Sequence, residues 1–582
     1  MRKLTLLILL LTGGYKSTLA QLNAGNFTGN AESTFQYLNT DSLIGATQPA
    51  SKGLLNSYMN VFYTQGHFKA GMRFESYLPR IQGYPATFDG TGLGMRYIGY
   101  ANDFVDITLG SVYEQFGAGL SLRTYENMGL GYDTQLDGAR IKITPKKGLV
   151  IKSVYGYLRY AFLDGRIVHS DGLVRGIDGE VHINEVFKSW ESRKLDVTFG
   201  GSFVSKYQRD VNDALILPEN VGCYGGRMRL KYGKVAFDGE YVFKGQDPSE
   251  DNKYIYNTGH AAVFNLGYSQ KGLGIIFSAK SVDNMSFRAD RTKQLQNVLI
   301  NYLPSLNKTH TYNLVASLYP YATQPVGEMA FQGEVLYTFK KGSKFGGKYG
   351  TSLDVNYSAA YRPMRHTSGI NPLDSTGVTY KSGLFDLSDS LYWRDFNFNI
   401  SKKLTKQLNV ILSYFNITLN NDIATVTKEH GFIHANVFVL ETGYKINTKQ
   451  SLRTELQFLF VNKRDSVNVT DPSGQTVSVE KNYPFYYTGS PVPIDKGDWS
   501  TVLIEYTINS NWFVSAMDQY NFGNPEKSHR AHHPYLSVGY IRDATRLTVS
   551  YGRQRAGLFC VGGVCRPVPA SNGLTISFTH SF

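Results

Sequence analysis

The stretch Gly573-Leu574-Thr575-Ile576-Ser577-Phe578-Thr579-His580-Ser581-Phe582 decides the fold. Side chains alternate across an extended chain with period two. Leu574, Ile576, Phe578, His580 and Phe582 therefore share one face, and Thr575, Ser577, Thr579 and Ser581 the other. A strand that stops on an aromatic residue brings no polar tail to cover its edge, so it reads as the closing strand of a barrel, paired with a strand near Ala31. One apolar and one polar face suit a wall with lipid outside and a polar lumen inside.

Upstream, the same alternation recurs between turn residues. Val235, Phe237, Gly239, Tyr241 and Phe243 alternate with Ala236, Asp238, Glu240 and Lys244. Leu353, Val355, Tyr357, Ala359 and Tyr361 do so against Asp354, Asn356, Ser358 and Arg362, and Phe396, Phe398 and Ile400 against Asn397, Asn399 and Ser401. Short links at 66–67, 102–103, 146–148, 405–407, 447–450 and 543–545 take turns with longer ones at 79–91, 118–137, 209–221, 364–390, 464–497 and 558–572. Outer-membrane barrels place short turns in the periplasm and long loops outside. Between 288 and 309 the signal weakens: parity asks for a strand, while Gln294 to Leu306 suits a short helix equally. With a strand there the count is about 26, in a range of about 22 to 26, and the even number puts both termini in the periplasm.

The expected fold is thus all-β, a large single-chain antiparallel transmembrane β-barrel. A barrel this wide leaks unless its lumen is filled. The first credible strand, about residues 31–38, leaves no room for an N-terminal plug domain. Inward-folded loops are the expected fillers, with 364–390 and 464–497 the longest candidates.

Composition agrees with export to a membrane. Met1-Arg2-Lys3, the apolar run Leu4 to Leu11 and a small-residue end at Ala20 read as a signal peptide over 1–20, leaving 21–582 as one barrel domain. The apolar run is too short for a helical anchor, which needs about 20 residues. Mean hydropathy is −0.26, yet 14% of residues are aromatic, with 41 Tyr and 34 Phe. A barrel reconciles the two, since only alternate residues meet lipid and aromatic girdles mark its interfaces. The net charge of +13 falls when Arg2, Lys3 and Lys16 leave but stays positive, favouring anionic headgroups or solutes. No basic run with interleaved aromatic residues points to nucleic acid.

Arg227, Arg229 and Lys231 project to one side of a strand, opposite Met228, Leu230 and Tyr232. Pointed into the lumen, three cations on successive rungs favour anionic solutes. Asp238 and Glu240 on the next strand are within cross-strand reach, and pairing with them is the favoured reading. Gly342-Ser343-Lys344-Phe345-Gly346-Gly347-Lys348 imitates a phosphate loop, but Tyr349 stands where the Mg²⁺-holding hydroxyl belongs, so the run reads as a basic turn. His529, His532 and His533 cluster without a fourth metal ligand in view. No Ser/His/Asp set stands out, and no catalytic residue, metal or cofactor is assigned. Cys560 and Cys565 bracket a short loop that an oxidising compartment would close as a disulfide. Cys223 reads as a small apolar residue at a strand start.

The segment from Arg553-Gln554-Arg555-Ala556-Gly557-Leu558-Phe559-Cys560 through Cys565-Arg566-Pro567-Val568-Pro569-Ala570-Ser571-Asn572 to Phe582, together with Asn284-Met285-Ser286-Phe287-Arg288-Ala289-Asp290-Arg291, resembles a family of Bacteroidota outer-membrane proteins of unassigned function. That resemblance implies location and a large barrel, and carries no catalytic residues. The same phylum attaches O-glycans at Asp-Ser/Thr before an apolar residue or Thr, which implies candidates at Ser42, Ser375, Ser390 and Ser466. By resemblance to other barrels ending in Phe, Phe582 is the barrel-assembly signal. The expected partners are outer-membrane lipid and lipopolysaccharide, the assembly machinery during insertion, and other outer-membrane proteins. Three functions fit: a porin-like or transport channel for polar or anionic solutes, which is favoured, a plugged accessory barrel in a larger complex, or surface adhesion through the same outer loops and their glycans.

Overall fold

The computed structural model describes residues 25–369, 376–420, 432–461, 466–470, 476–480, 497–524, 526–561 and 564–582. Twenty-four antiparallel strands form one closed sheet. In chain order they are β1 (Asn26–Asn39), β2 (Gly53–Gln65), β3 (Phe68–Tyr77), β4 (Gly90–Ala101), β5 (Val105–Val112), β6 (Leu136–Lys146), β7 (Leu149–Leu163) and β8 (Arg166–His182). There follow β9 (Leu195–Tyr207), β10 (Asn220–Tyr232), β11 (Val235–Lys244), β12 (Gly259–Gln270), β13 (Leu273–Asp283), β14 (Gly327–Phe339), β15 (Thr351–Pro363) and β16 (Leu387–Lys403). The wall ends with β17 (Leu408–Asn420), β18 (Phe432–Lys445), β19 (Ser451–Val461), β20 (Trp499–Thr507), β21 (Trp512–Asn521), β22 (His532–Arg542), β23 (Thr545–Gln554) and β24 (Ser571–Ser581).

The opening stretch closes the ring. β24 pairs with β23 and with β1, Ala31 facing His580 and Asn39 facing Asn572, and Gly29 and Phe582 exchange backbone hydrogen bonds of 2.9 Å. Short and long connections alternate around most of the wall, so the barrel has a turn end, which holds both β1's start and Phe582, and a loop end. An exception is the tight Asp164-Gly165 turn at the loop end of the long strands β7 and β8. β4 and β5 pair only from Tyr97–Gly110 to Ala101–Asp106. Beyond that, the β7–β8 tip bonds the chain leading into β4, Asp89 N–H donating to Phe162 O at 2.7 Å.

The outward face is that of a membrane wall. Phe27, Phe68, Ile98, Tyr224, Leu536 and Tyr551 are each more than half exposed. In water such a surface would be an association hazard; against lipid it is the stable arrangement.

Two expectations about the interior are overturned. No strand lies between 288 and 309 among the described residues: 284–326 is one long loop-end connection whose regular element is the short helix Asn313–Leu318. Its residues Asn284 to Arg291 are all buried, so neither of their alternating faces meets lipid or an open lumen as a wall strand's would. The described part of 364–386 is not the main filler either. It packs at the loop end, Arg365 Nη2 2.8 Å from Asp283 and Asn257 Nδ2 donating to Tyr380 O at 3.1 Å. Most of 464–497 lies outside the described residues.

Candidate functional site: the filled lumen and its loop-end chamber

The inner wall is not uniformly polar. Toward the loop end of β7 to β13, Val154, Leu158, Val174, Val204, Val221, Cys223, Val242, Ala261, Val263 and Val282 are fully or almost fully buried in one cluster. Several face each other in register, Val204 with Cys223 and Ala261 with both Val242 and Val282. Cys223 thus belongs to an apolar belt inside the barrel. Two inward segments cover it: 113–135 contributes Phe116, Leu120 and Leu122, and 284–326 contributes Met285, Phe287, Ala289, Val298 and Ile300. They are stitched together by Arg123 N–H to Ile300 O at 2.8 Å and Tyr302 N–H to Gly119 O at 2.9 Å.

A second core continues on the far wall. Tyr312, Leu314, Val315, Tyr319 and Tyr321 pack on inner-wall side chains such as Trp393, Phe415, Val437, Leu459 and Trp499. The segment 284–326 therefore crosses the lumen from β13 to the β20–β23 side. Arg555, just past β23, donates to Asn313 Oδ1 at 3.0 Å and Ser317 Oγ at 2.6 Å.

Buried charges fasten the crossing segment and its neighbours to the wall. Lys280 lies 2.5 Å from Glu328, both fully buried, and Glu328 also accepts from Tyr321 Oη at 2.6 Å. Lys308 pairs with Glu334 at 2.8 Å and with Asp354. Because Asp354 is only the fourth residue of β15 from its turn, the segment dips deep into the barrel. His310 meets Asp395 at 2.8 Å, and Tyr312 Oη donates to Glu441 at 3.2 Å. Near its start, Lys206 stands 2.6 Å from Asp247 and Lys244 donates to Ser286 O at 2.7 Å. Arg288 is met on all sides, by Asp251, Asn297 O and Ser286 Oγ. Each such pair is weak evidence for net stability, but breaking one leaves a buried charge unpaired.

The expected charge ladder lies on the inner wall, with a changed partner scheme. Arg229 pairs with Asp238 at 2.9 Å, as expected. Arg227 faces Glu240 in register, yet its guanidinium reaches across β9 to Asp178 at 2.6 Å and Glu180 at 3.1 Å. Two features cause this. Gly200 leaves the space, since a Cβ there would lie 2.5 Å from that guanidinium. Glu240 is already engaged, accepting the Ala118 N–H at 2.6 Å. Lys231 is exposed opposite Ala236 near the turn. The ladder therefore fastens 113–135 as much as it lines an aqueous path.

The other expected positions scatter. His532 and His533 point to opposite faces of β22, His532 stacking on Tyr520 and bonding Asp518 at 2.6 Å, His533 buried against Trp499. Cys560 and Cys565 face each other across the hairpin Gly557–Val561 and Val564–Val568, their side chains lying outside the described set. Ser42 is exposed in a short 3-10 turn and Ser390 is half-buried in β16, while Ser375 and the Ser466 side chain lie outside the described residues.

Where 113–135 and 284–326 meet the loops 78–89 and 555–570, a chamber of about 570 Å³ remains. One side of it is anchored by an ionic knot that sequence reading missed. Arg159 on β7 sits 2.7 Å from Glu75 and 2.9 Å from Asp133, and Arg73 sits 2.8 Å from Glu75 and 3.2 Å from Asp133. Arg73 and Glu75 share the inward side of β3, a pattern readable in sequence, but their partner Asp133 comes from a loop.

Among solved structures, the chain is similar to the P pilus usher PapC translocation pore at 8% identity, covering 95% of this chain and 99% of that one, with a TM-score of 0.42. It is similar to the siderophore receptor PirA from Pseudomonas aeruginosa at 9% identity, 97% and 82% coverage and TM-score 0.40. The outer membrane transporter YddB from Escherichia coli compares at 9%, 97% and 81% coverage and TM-score 0.39. No curated protein matches the sequence. A family model matches residues 1–582, so the chain belongs to a family of unknown function, DUF6029.

Proposed function

We propose that this chain is an outer-membrane transport barrel for polar or anionic solutes that rests closed, its lumen held shut by 113–135 and 284–326. The observation that carries this reading is the crossing segment itself, held to opposite walls by Lys280, which donates to Pro304 O, and Glu328, which accepts from Tyr321 Oη, on one side and by Arg555, which donates to Asn313, on the other. An open porin does not fit a lumen holding two hydrophobic cores. The turn end lies in the periplasm and the loop end outside, which puts Cys560 and Cys565 in an oxidising setting as a disulfide and Ser42, Ser375, Ser390 and Ser466 within reach of glycosylation. Phe582 then serves as the assembly signal, and lipid and lipopolysaccharide surround the apolar wall.

The two cores also favour a second reading, a permanently plugged accessory barrel. Single-channel recording of the purified barrel under rising voltage separates them. Transport expects transitions to a conducting, anion-preferring state. A barrel silent at every voltage that copurifies with fixed partners in mild detergent would sink transport and leave the scaffold.

A further inference from the structure

We infer that the loop-end chamber is a binding site for a small amphipathic anion, an apolar or aromatic body carrying one carboxylate or phosphate. Its volume of about 570 Å³ lies in the range of small-molecule sites. Four separate loops build it, so it is a convergent cavity rather than a crease in one of them. Phe88, Leu130, Tyr132 and Pro320 supply apolar surface, enough to hold a flat body against aromatic faces.

Charge decides the ligand's sign. Arg159 and Asp133 both line the chamber, but they are bonded to each other within the knot that Glu75, Arg73 and Glu126 complete, so Arg159 is already matched by carboxylates. Arg566 is different. Its Nε and Nη1 are buried and bond no protein atom, and its guanidinium lies 5.5 Å over the Tyr84 ring. Buried guanidinium N–H groups without an acceptor are costly, and a guanidinium presents a fork that matches carboxylate or phosphate. An anion bound there satisfies Arg566 while its body covers the apolar wall. Tyr321 and Val298 also line the chamber, so the ligand would touch the lumen-crossing segment directly.

The inference does not depend on transport: a silent barrel that binds the anion keeps it, and a conducting barrel that ignores the anion loses it. The test is titration calorimetry on the full chain in nanodiscs with three probes of one shape, 1-naphthoate, 1-naphthamide and 1-naphthylmethylammonium. Naphthoate is expected to bind at least tenfold tighter than the amide, with the ammonium weakest. Arg566→Gln is expected to remove that tenfold preference while the heat-shifted gel mobility of the folded barrel stays unchanged. Equal binding of the three probes, no naphthoate binding, or a folded Arg566→Gln that keeps the preference would overturn the inference. The wild-type ranking stands as a test even if the variant does not fold.

Discussion

β11 and the stretch Asn284–Arg291 touch, Lys244 of the one donating to Ser286 O of the other, yet they bury side chains by opposite rules. In β11, Val235, Tyr241 and Phe243 are exposed to lipid while Glu240, Val242 and Lys244 are buried inside. In Asn284–Arg291 apolar and charged residues are buried alike, Phe287 in the apolar belt and Arg288 among three acceptors. The wall is held by a repeating backbone ladder that tolerates many side chains. The filling segment has only a single antiparallel bridge, between Arg288 and Leu299, so particular side chains must hold it.

That contrast predicts where the molecule breaks. Glu328→Gln leaves Lys280 buried without a counter-charge and weakens the bonds that position 328 accepts from Tyr321 and Gln324 of the crossing segment, so it is expected to cost about 3–5 kcal/mol, lost from that segment first. Hydrogen exchange should show 284–326 losing protection while the wall strands keep theirs; simultaneous loss in both would erase the distinction. Phe287→Ala is expected to cost a similar ~3–5 kcal/mol, because the cavity opens in a packed belt. On the wall the sensitive face is the outer one. Tyr357→Arg, at an exposed mid-strand position of β15, should destabilise the barrel by about 2–4 kcal/mol in urea unfolding from bilayers, without changing 284–326 protection at low urea.

These differences also explain what the sequence made legible. Period-2 alternation and the short and long links are local signals, and the structure follows them; closure of Phe582's strand on β1 then follows from the terminal pattern. The filling of the lumen is not local. Met285, Phe287 and Ala289 alternate like a strand, and only the valines inside β8 to β13 show that they face a wall rather than pair with one. A signal was present: Ala261-Ala262-Val263-Phe264 and Tyr241-Val242-Phe243 are apolar on both faces, which a strand between lipid and water does not need. The alternation puts Arg227, Arg229 and Lys231 on one face of their strand, but Arg227's partners two strands away depend on Gly200 and on a loop reaching Glu240. Arg566 and the chamber were beyond reach, since their neighbours come from four loops far apart in the chain.

Arg229→Ala removes a half-exposed pair with Asp238 and should change stability by no more than about 1 kcal/mol in the same urea measurement, far less than Glu328→Gln. Burial alone would raise the Asp247 carboxyl, but Lys206 and Lys244 beside it outweigh that and hold it below the usual aspartate range. Its contribution is therefore present above about pH 4 and lost as the pH falls below that, so exchange protection of 245–258 should drop first on acidification. Asp247→Asn should abolish that dependence.

A barrel that rests closed requires 284–326 to shut an otherwise wide lumen. Planar-bilayer conductance tests this requirement most directly, comparing the wild-type chain with one in which 292–322 is replaced by a short Gly/Ser linker. The wild type is expected to be closed at low voltage, and the folded, heat-modifiable variant to show a large, steady conductance. A wild type that is a wide open pore, or a folded variant that stays closed, would contradict it.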